Sequence, residues 1–480
     1  MVKEEMDDEK HKKYYSSYIP NDYFWGIGIE NETYLEVPHY GDVSGSFFKN
    51  QQRERYSVNY YETYLNDYFN KCLDTVIDRD KSYSLPYLIN CHELTKNDLS
   101  GNPKTKYDKD SSPNERFNGK TVFEYICEKD EYFKNEYQKS YCFDGDTIEF
   151  MTQNYYKKTV QDVISELKHH KKHFLEHINK LHLPLAHGKH LEYPKVNHGF
   201  ARFSTNKNNL AIFNNGTYHF NFTLPTLLDD CGNIVNKKSF EKRHCKAIRV
   251  IQMLEPFFIA KYGSSDILSK SNKFFSRFPK GSQRIAASRY ISAGTYNSET
   301  MRSGKILQED LVKNEPIWYN KLYKQVHYVK NEKIGFDINY NKFKNHGIEL
   351  RFFDWFPEEH LEEVLTFLVY LLDHSCVLTR IDNPIHNNTF NEIMYNAVLN
   401  GKDTLISMEQ VGYIKKALKL KCVIKDRNII KVYDSIFAHL KNMYKKNGEC
   451  SRLMLDTKPV SCMSKLFPFS FSFSCMRLDS

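Results

Sequence analysis

Apolar and polar residues alternate in four short stretches of this chain, and the polar positions are filled by carboxylates, a histidine and an arginine. The stretches are Trp25–Glu32 (WGIGIENE), Thr147–Phe150 (TIEF), Thr217–Thr223 (TYHFNFT) and Gly347–Phe352 (GIELRF). Alternation with period 2 predicts strands, whose successive side chains point to opposite faces. Glu30 and Glu32 then share one face, with Ile27 and Ile29 on the other. His219, Asn221 and Thr223 share a face backed by Tyr218, Phe220 and Phe222, and Glu349 and Arg351 share one backed by Ile348, Leu350 and Phe352. If the four strands lie in one sheet, one surface is core and the other gathers Glu30, Glu32, Glu149, His219, Glu349 and Arg351.

Other segments read differently. Val160, Val163, Ile164, Leu167, Phe174, Leu175, Ile178 and Leu181 recur at helical spacing and predict a helix over 159–181. The first strand is expected over 22–37, and the strand carrying His219 is expected to stop at Pro225. A loop is expected from 226 and a helix over roughly 240–261. A long apolar helix follows over 358–378, and 390–445 reads as mostly helical. Residues 52–80 read as helical, and the polar, Pro/Gly-marked segment 99–120 as a surface insertion. These elements divide the chain into a charged start (1–14), a main unit (15–385), a helical C-terminal region (386–445) and a tail (446–480) that holds the run FPFSFSFS at 467–474.

Composition narrows the classes. The chain has 480 residues, 40% of them hydrophobic and 15% aromatic, which is ample for a large core. Its net charge of +8 is modest beside 68 basic and 60 acidic residues, so nucleic acid is not demanded as a partner. The 11 cysteines form no CxxC pair, the first residues are charged, and no apolar run reaches the length of a membrane span. A reducing, cytoplasmic setting without membrane insertion is therefore expected.

The clustered carboxylates are the leading chemical signal. Like charges held together disfavour ionisation, and a divalent cation resolves the conflict. Hard cations such as Mg²⁺ take oxygen ligands and share phosphate oxygens. A Glu-x-Glu on a strand is by itself most often a solvated face, and a lone strand histidine most often a hydrogen-bonding residue; here each is strengthened by the others. Arg351 adds a guanidinium whose fork matches phosphate. Lys280, Arg284 and Arg289, with Arg277, lie in a Gly/Ser-bearing basic loop. No P-loop, no Gly-x-Gly-x-x-Gly and no Gly-x-Ser-x-Gly elbow is present. His169, His170, His173 and His177 fall on the predicted helix among lysines, where a solvated face is the simpler explanation.

The ordered series Gly-x-Glu-x-Glu, a later strand Glu, a strand His, a basic loop and a late Glu-x-Arg resembles the glutamine synthetase / glutamate–cysteine ligase superfamily, with amidoligase-type members nearest. The resemblance runs from about 22 to 357. It implies an α+β fold in which a curved antiparallel sheet, flanked by helices, forms an active-site funnel. It also implies an ATP-dependent carboxylate–amine ligase using Mg²⁺ (or Mn²⁺) and an acyl phosphate. Glu30, His219 and Glu349 would hold one metal, and Glu32 and Glu149 a second. His219, Asn221, Thr223 and Lys280 would contact the cofactor. Arg351 would contact the transferring phosphoryl group, and either Arg284 or Arg289 the acyl phosphate. The substrates would be an amino-acid, small-peptide or protein carboxylate plus an amine. Two other classes compete: a metal-dependent nuclease or nucleic-acid-binding protein, and a non-catalytic scaffold of the same fold.

Overall fold

The computed structural model describes residues 23–38, 87–89, 91, 94, 122–144, 147–153, 158–183, 186, 188–202, 210–265, 280–282, 295–303, 337–341 and 347–446. The helix expected over 52–80, the insertion at 99–120, the charged start, the Phe/Ser run, Arg284 and Arg289 lie outside these residues. The strands are β1 (Tyr23–Thr33), β2 (Leu35–Val37), β3 (Tyr87–Ile89), β4 (Tyr141–Asp144), β5 (Thr147–Met151), β6 (His198–Arg202), β7 (Leu210–Asn214), β8 (Thr217–Leu227), β9 (Tyr296–Asn297), β10 (Arg302–Ser303), β11 (Ile338–Tyr340) and β12 (Ile348–Asp354). The helices are α1 (Val122–Lys129), α2 (Glu131–Glu136), α3 (Val160–Lys180), α4 (Lys237–Tyr262), α5 (Leu361–Val377), α6 (Asn388–Asn400), α7 (Met408–Ala417) and α8 (Ile429–Lys446).

All four motif strands enter one six-stranded sheet in the order β11-β12-β8-β1-β5-β4, antiparallel throughout and open at both edges. Its apolar face is buried as the alternation requires: Ile27, Ile29, Ile148, Phe150, Tyr218, Phe220, Phe222, Ile348 and Leu350 belong to the core. Helices cover that face. Phe174 of α3 meets Phe150 edge-on at 5.3 Å, and Phe258 of α4 meets Phe353 at 5.4 Å. A second helical layer follows, with Phe258 against Phe367 of α5 and Phe367 against Tyr433 of α8. The fold is thus mixed α/β, with the helices packed on one side of an open antiparallel sheet.

The α3 helix begins at Thr159, whose hydroxyl and the Asp162 carboxylate form a reciprocal capping box. Its apolar stripe contains one cation, Lys171, which is buried. The Lys171 ammonium reaches through the core face to Asn31 Oδ1 at 2.9 Å, pairs with Glu358 and sits over the Tyr193 ring at 4.6 Å. Burial lowers the Lys171 pKa, and the Glu358 carboxylate opposes that shift.

Three boundaries depart from the sequence expectation. The segment expected as one strand over 22–37 is two: β1 belongs to the six-stranded sheet, whereas β2 opens a separate sheet ordered β2-β3-β6-β7. β8 does not stop at Pro225 but runs to Leu227, and α4 begins at Lys237, so the loop between them is shorter than expected. Proline is tolerated because β8 bulges there. Phe24 pairs with Thr226 and Gly26 with Thr223, so Leu224 and Pro225 together face Trp25. The Leu224 N–H leaves the ladder to donate to His244 Nε2, and Pro225 has no N–H to lose.

A second bulge was invisible to alternation. Leu350 pairs with Phe220 and Phe353 with Tyr218, so both Arg351 and Phe352 face His219. Strict alternation places Phe353 on the polar face. The bulge returns it to the core, 4.9 Å from the Phe220 ring. The Arg351 N–H points away from β8 and donates to Asp337 O at 2.7 Å, which continues the β11–β12 register by one pair.

Candidate metal centre

The register of the sheet builds the site. Glu32 of β1 lies between Thr217 of β8 and Glu149 of β5, with Cys142 of β4 beyond Glu149. One row along, Glu30 lies opposite His219. In the next row, Asn221 lies between Gly28 and Glu349, with Asn339 of β11 outside Glu349. Directly opposed residues share a face, so all six strands deliver these side chains to the polar surface.

The cluster is tightly connected. His219 Nδ1 is 3.4 Å from Glu30 Oε2 and 3.7 Å from Glu349 Oε1, and its Nε2 is 3.7 Å from Glu32 Oε1. Asn221 Nδ2 donates to Glu30 Oε1 at 3.2 Å, and Asn339 Nδ2 donates to Glu349 Oε2 at 2.7 Å. Arg351 Nη1 donates to Glu349 Oε1 at 2.7 Å. His219 and Glu349 are buried, whereas Glu30 and Glu32 keep an edge in solvent. Burial pulls the Arg351 pKa down, but the Glu349, Glu32 and Glu30 carboxylates outweigh it and hold the guanidinium above its ordinary value. Its buried Nε has no hydrogen-bond partner among the described residues.

Among the described residues, Glu30, His219 and Glu349 form the group whose ligand atoms all come within 4.8 Å of one another. Adjacent ligands around an octahedral cation with bonds of about 2.1 Å stand about 3 Å apart. The separations of 3.4 and 3.7 Å from His219 Nδ1, and of up to 4.8 Å within the group, are wider than this, so a cation would draw the three side chains inward. One nitrogen and two carboxylates suit Mn²⁺ or Mg²⁺, the imidazole tilting the set toward the softer ion. Glu32 and Glu149 lie in register as expected, but with Cys142 Sγ 3.6 Å from Glu149 Oε2 they remain outside that close group.

The remaining predicted residues take other places. The Thr223 hydroxyl accepts from Gly347 N at 3.2 Å, closing the start of β12 onto β8. Lys280 sits with its backbone bound to Leu399 O at the end of α6 and its side chain exposed. On α3, the His169 and His173 rings lie 3.9 Å apart and tilted to each other, and His177 pairs instead with Asp130. Sequence reading missed Cys142, Asn339 and a role for Thr217. Cys142 was within reach: Asp144 pairs with Thr147 across the turn, which places Cys142 opposite Glu149.

Helices stacked on an open antiparallel sheet, with a Glu–His–Glu centre on its other face, define the class of this protein. The chain is 40% identical over 462 residues to an uncharacterised protein of Acanthamoeba polyphaga mimivirus, covering 93% of this chain and 79% of the relative. It belongs to the same family as that viral protein. No protein-family model matches it. No helix among the described residues is long and apolar enough to cross a membrane.

Proposed function

We propose that this protein is an ATP-dependent carboxylate–amine ligase of the glutamine synthetase / glutamate–cysteine ligase type, acting with Mg²⁺ or Mn²⁺. The observation that carries this reading is the meeting of Glu30, His219 and Glu349 from three neighbouring strands, with Arg351 two residues beyond Glu349 and bulged toward His219. In this reading the polar face of the sheet is the wall of the active-site funnel. ATP as substrate would pass its γ-phosphoryl group to a carboxylate with ADP leaving, and an amine would then displace phosphate to give the amide; a cation held by Glu30, His219 and Glu349 would supply charge neutralisation at the phosphates.

The chain's own residues supply position and charge. Glu30, His219 and Glu349 hold the cation. Asn221 and Asn339 fix the carboxylates by donating to the oxygens that face away from it. Arg351 would present positive charge to phosphoryl oxygens, and its Nε, without a hydrogen-bond partner among the described residues, gives it a donor to offer. Glu32 and Glu149 offer carboxylates to a second cation. Arg284 and Arg289, outside the described residues, precede Tyr296 in the chain, and Tyr296 is anchored beside the site. There Tyr296 N donates to Asp337 Oδ1, and Asp337 O accepts from Arg351 N.

The test is ADP release from Mg²⁺–ATP with pooled amino acids, polyamines and short glutamyl peptides, with Glu30→Gln as control. Release that requires both a carboxylate and an amine, and is lost in Glu30→Gln, supports the ligase. ATP binding without release points to a macromolecular substrate. No ATP binding refutes the ligase and moves the weight to a metal-dependent nuclease or a scaffold.

A further inference from the structure

We propose that Thr217 is a positioning residue that sets the tautomer of His219 and ties Glu32 to the cation centre, an inference that rests on the reading of Glu30, His219 and Glu349 as cation ligands. Thr217 Oγ1 lies 2.9 Å from Glu32 Oε2 and 3.2 Å from His219 Nε2. A hydroxyl has one proton to give, and a carboxylate can only accept. The proton therefore goes to Glu32, and the hydroxyl lone pairs face His219 Nε2. Only a protonated Nε2 makes a bond there. A neutral imidazole protonated on Nε2 carries its lone pair on Nδ1, the nitrogen that faces Glu30 Oε2 and Glu349 Oε1. Thr217 thus aims the ligand electron pair of His219 at the cation without touching the cation itself.

The residue is built for that task. It is buried, and a β-branched side chain has few rotamers to choose from. Its carbonyl accepts from Asn31 Nδ2 at 3.1 Å, and Asn31 Oδ1 accepts from the buried Lys171. That chain crosses the sheet from α3 and fixes the start of β8 from the core side. Gly216 before it has a φ of +86°, and a Cβ there would meet Glu32 O at 1.9 Å. The backbone is therefore closed onto β1 at the residue whose hydroxyl joins the two strands' side chains. Because Thr217 also holds Glu32, any second cation drawn to Glu32 must act on the same hydroxyl, which links that carboxylate energetically to the first centre.

The experiment measures Mn²⁺ binding to the full chain near neutral pH for wild type, Glu30→Gln, Thr217→Val and Thr217→Ser. Wild type is expected to bind and Glu30→Gln to bind far more weakly. Thr217→Val, nearly the same shape without the hydroxyl, is expected to lose about 10–100-fold in affinity, the usual effect of removing such an orienting partner. Thr217→Ser should restore most of it. Heteronuclear NMR of isotope-labelled histidine gives an independent readout in the wild-type protein. With Cd²⁺ bound, His219 should carry its proton on Nε2 and the metal should couple to Nδ1; without metal, Nδ1 can also hold a proton toward Glu30 Oε2. Wild-type affinity in Thr217→Val, a proton on Nδ1 alone, or Cd²⁺ coupling to Nε2 overturns the proposal while leaving the cation centre standing. Absence of saturable Mn²⁺ binding in wild type, or no loss in Glu30→Gln, overturns both.

Discussion

Glu30 and Glu349 face the same imidazole, yet exchanging each for glutamine should have different effects on the metal-free protein. Both Glu349 oxygens accept: Oε1 from Arg351 Nη1 and Oε2 from Asn339 Nδ2, each at 2.7 Å. An amide has one oxygen and one NH₂, so Glu349→Gln keeps the Arg351 bond only by turning its NH₂ toward Asn339, whose own amide must then flip to accept it. The exchange also strips the partly buried guanidinium of its nearest counter-charge. Breaking a buried pair from one side costs about 3–5 kcal/mol. Relief of repulsion from Glu30, within 4.8 Å and partly solvated, offsets roughly 1–3 kcal/mol of this. Glu349→Gln should therefore destabilise by about 2 kcal/mol. Glu30 differs: Oε1 accepts from Asn221 and Oε2 faces His219 Nδ1, which can accept from an amide. An amide at this position keeps the first bond and gains a donor toward the second, so Glu30→Gln should stay within about 1 kcal/mol of wild type. Chemical unfolding in a chelator gives both numbers, and Mn²⁺ titration should show both variants impaired. Equal destabilisation, or a greater loss in Glu30→Gln, would refute the geometry argued for Arg351 and Asn339.

Three further outcomes are expected. If the ligase reading holds, Arg351→Met should lower ADP release by about 10²–10³, the usual effect of losing one preorganised electrostatic contact; turnover near wild type counts against the role given to Arg351. Gly216→Ala forces a side chain onto Glu32 O at a positive φ, and it should lower stability by about 2 kcal/mol or more, seen as an earlier unfolding midpoint. Stability should also fall on acidification. Burial raises the Asp130 and Glu363 carboxyls, but it is outweighed by His177 and Tyr132 at Asp130 and by Lys261 and Tyr262 at Glu363; both stay below their ordinary values. Their contributions are full above about pH 4, the unfolded value, and are lost as pH falls through the lower folded values. Asp130→Asn should flatten that loss in thermal unfolding against pH, and an unchanged profile would exclude the Asp130–His177 pair from it.

The alternating pattern alone determined much of this protein. It placed Glu30, Glu32, Glu149, His219, Glu349 and Arg351 on strand faces, because a two-residue period is a local property of extended chain. The register of β1, β5, β8 and β12 then brought these faces together as the pattern required, since a slip by one residue would have turned Ile27, Phe220 and Leu350 into water. The helix over Val160–Lys180 was legible for the same reason: its stripe and its capping pair lie within one stretch of sequence. Other features depended on partners far away in the chain. The bulges that carry Pro225 through β8 and set Arg351 against His219 exist only where two strands meet, so no window of one strand reveals them. Lys171 on an apolar stripe looks like an error until Asn31 and Glu358 arrive to receive it. The separation of the close Glu30–His219–Glu349 group from Glu32 and Glu149 was likewise decided by side-chain reach across paired strands. The role of Thr217 came from the distances its hydroxyl makes to two neighbours, and alternation supplies a face but no distance.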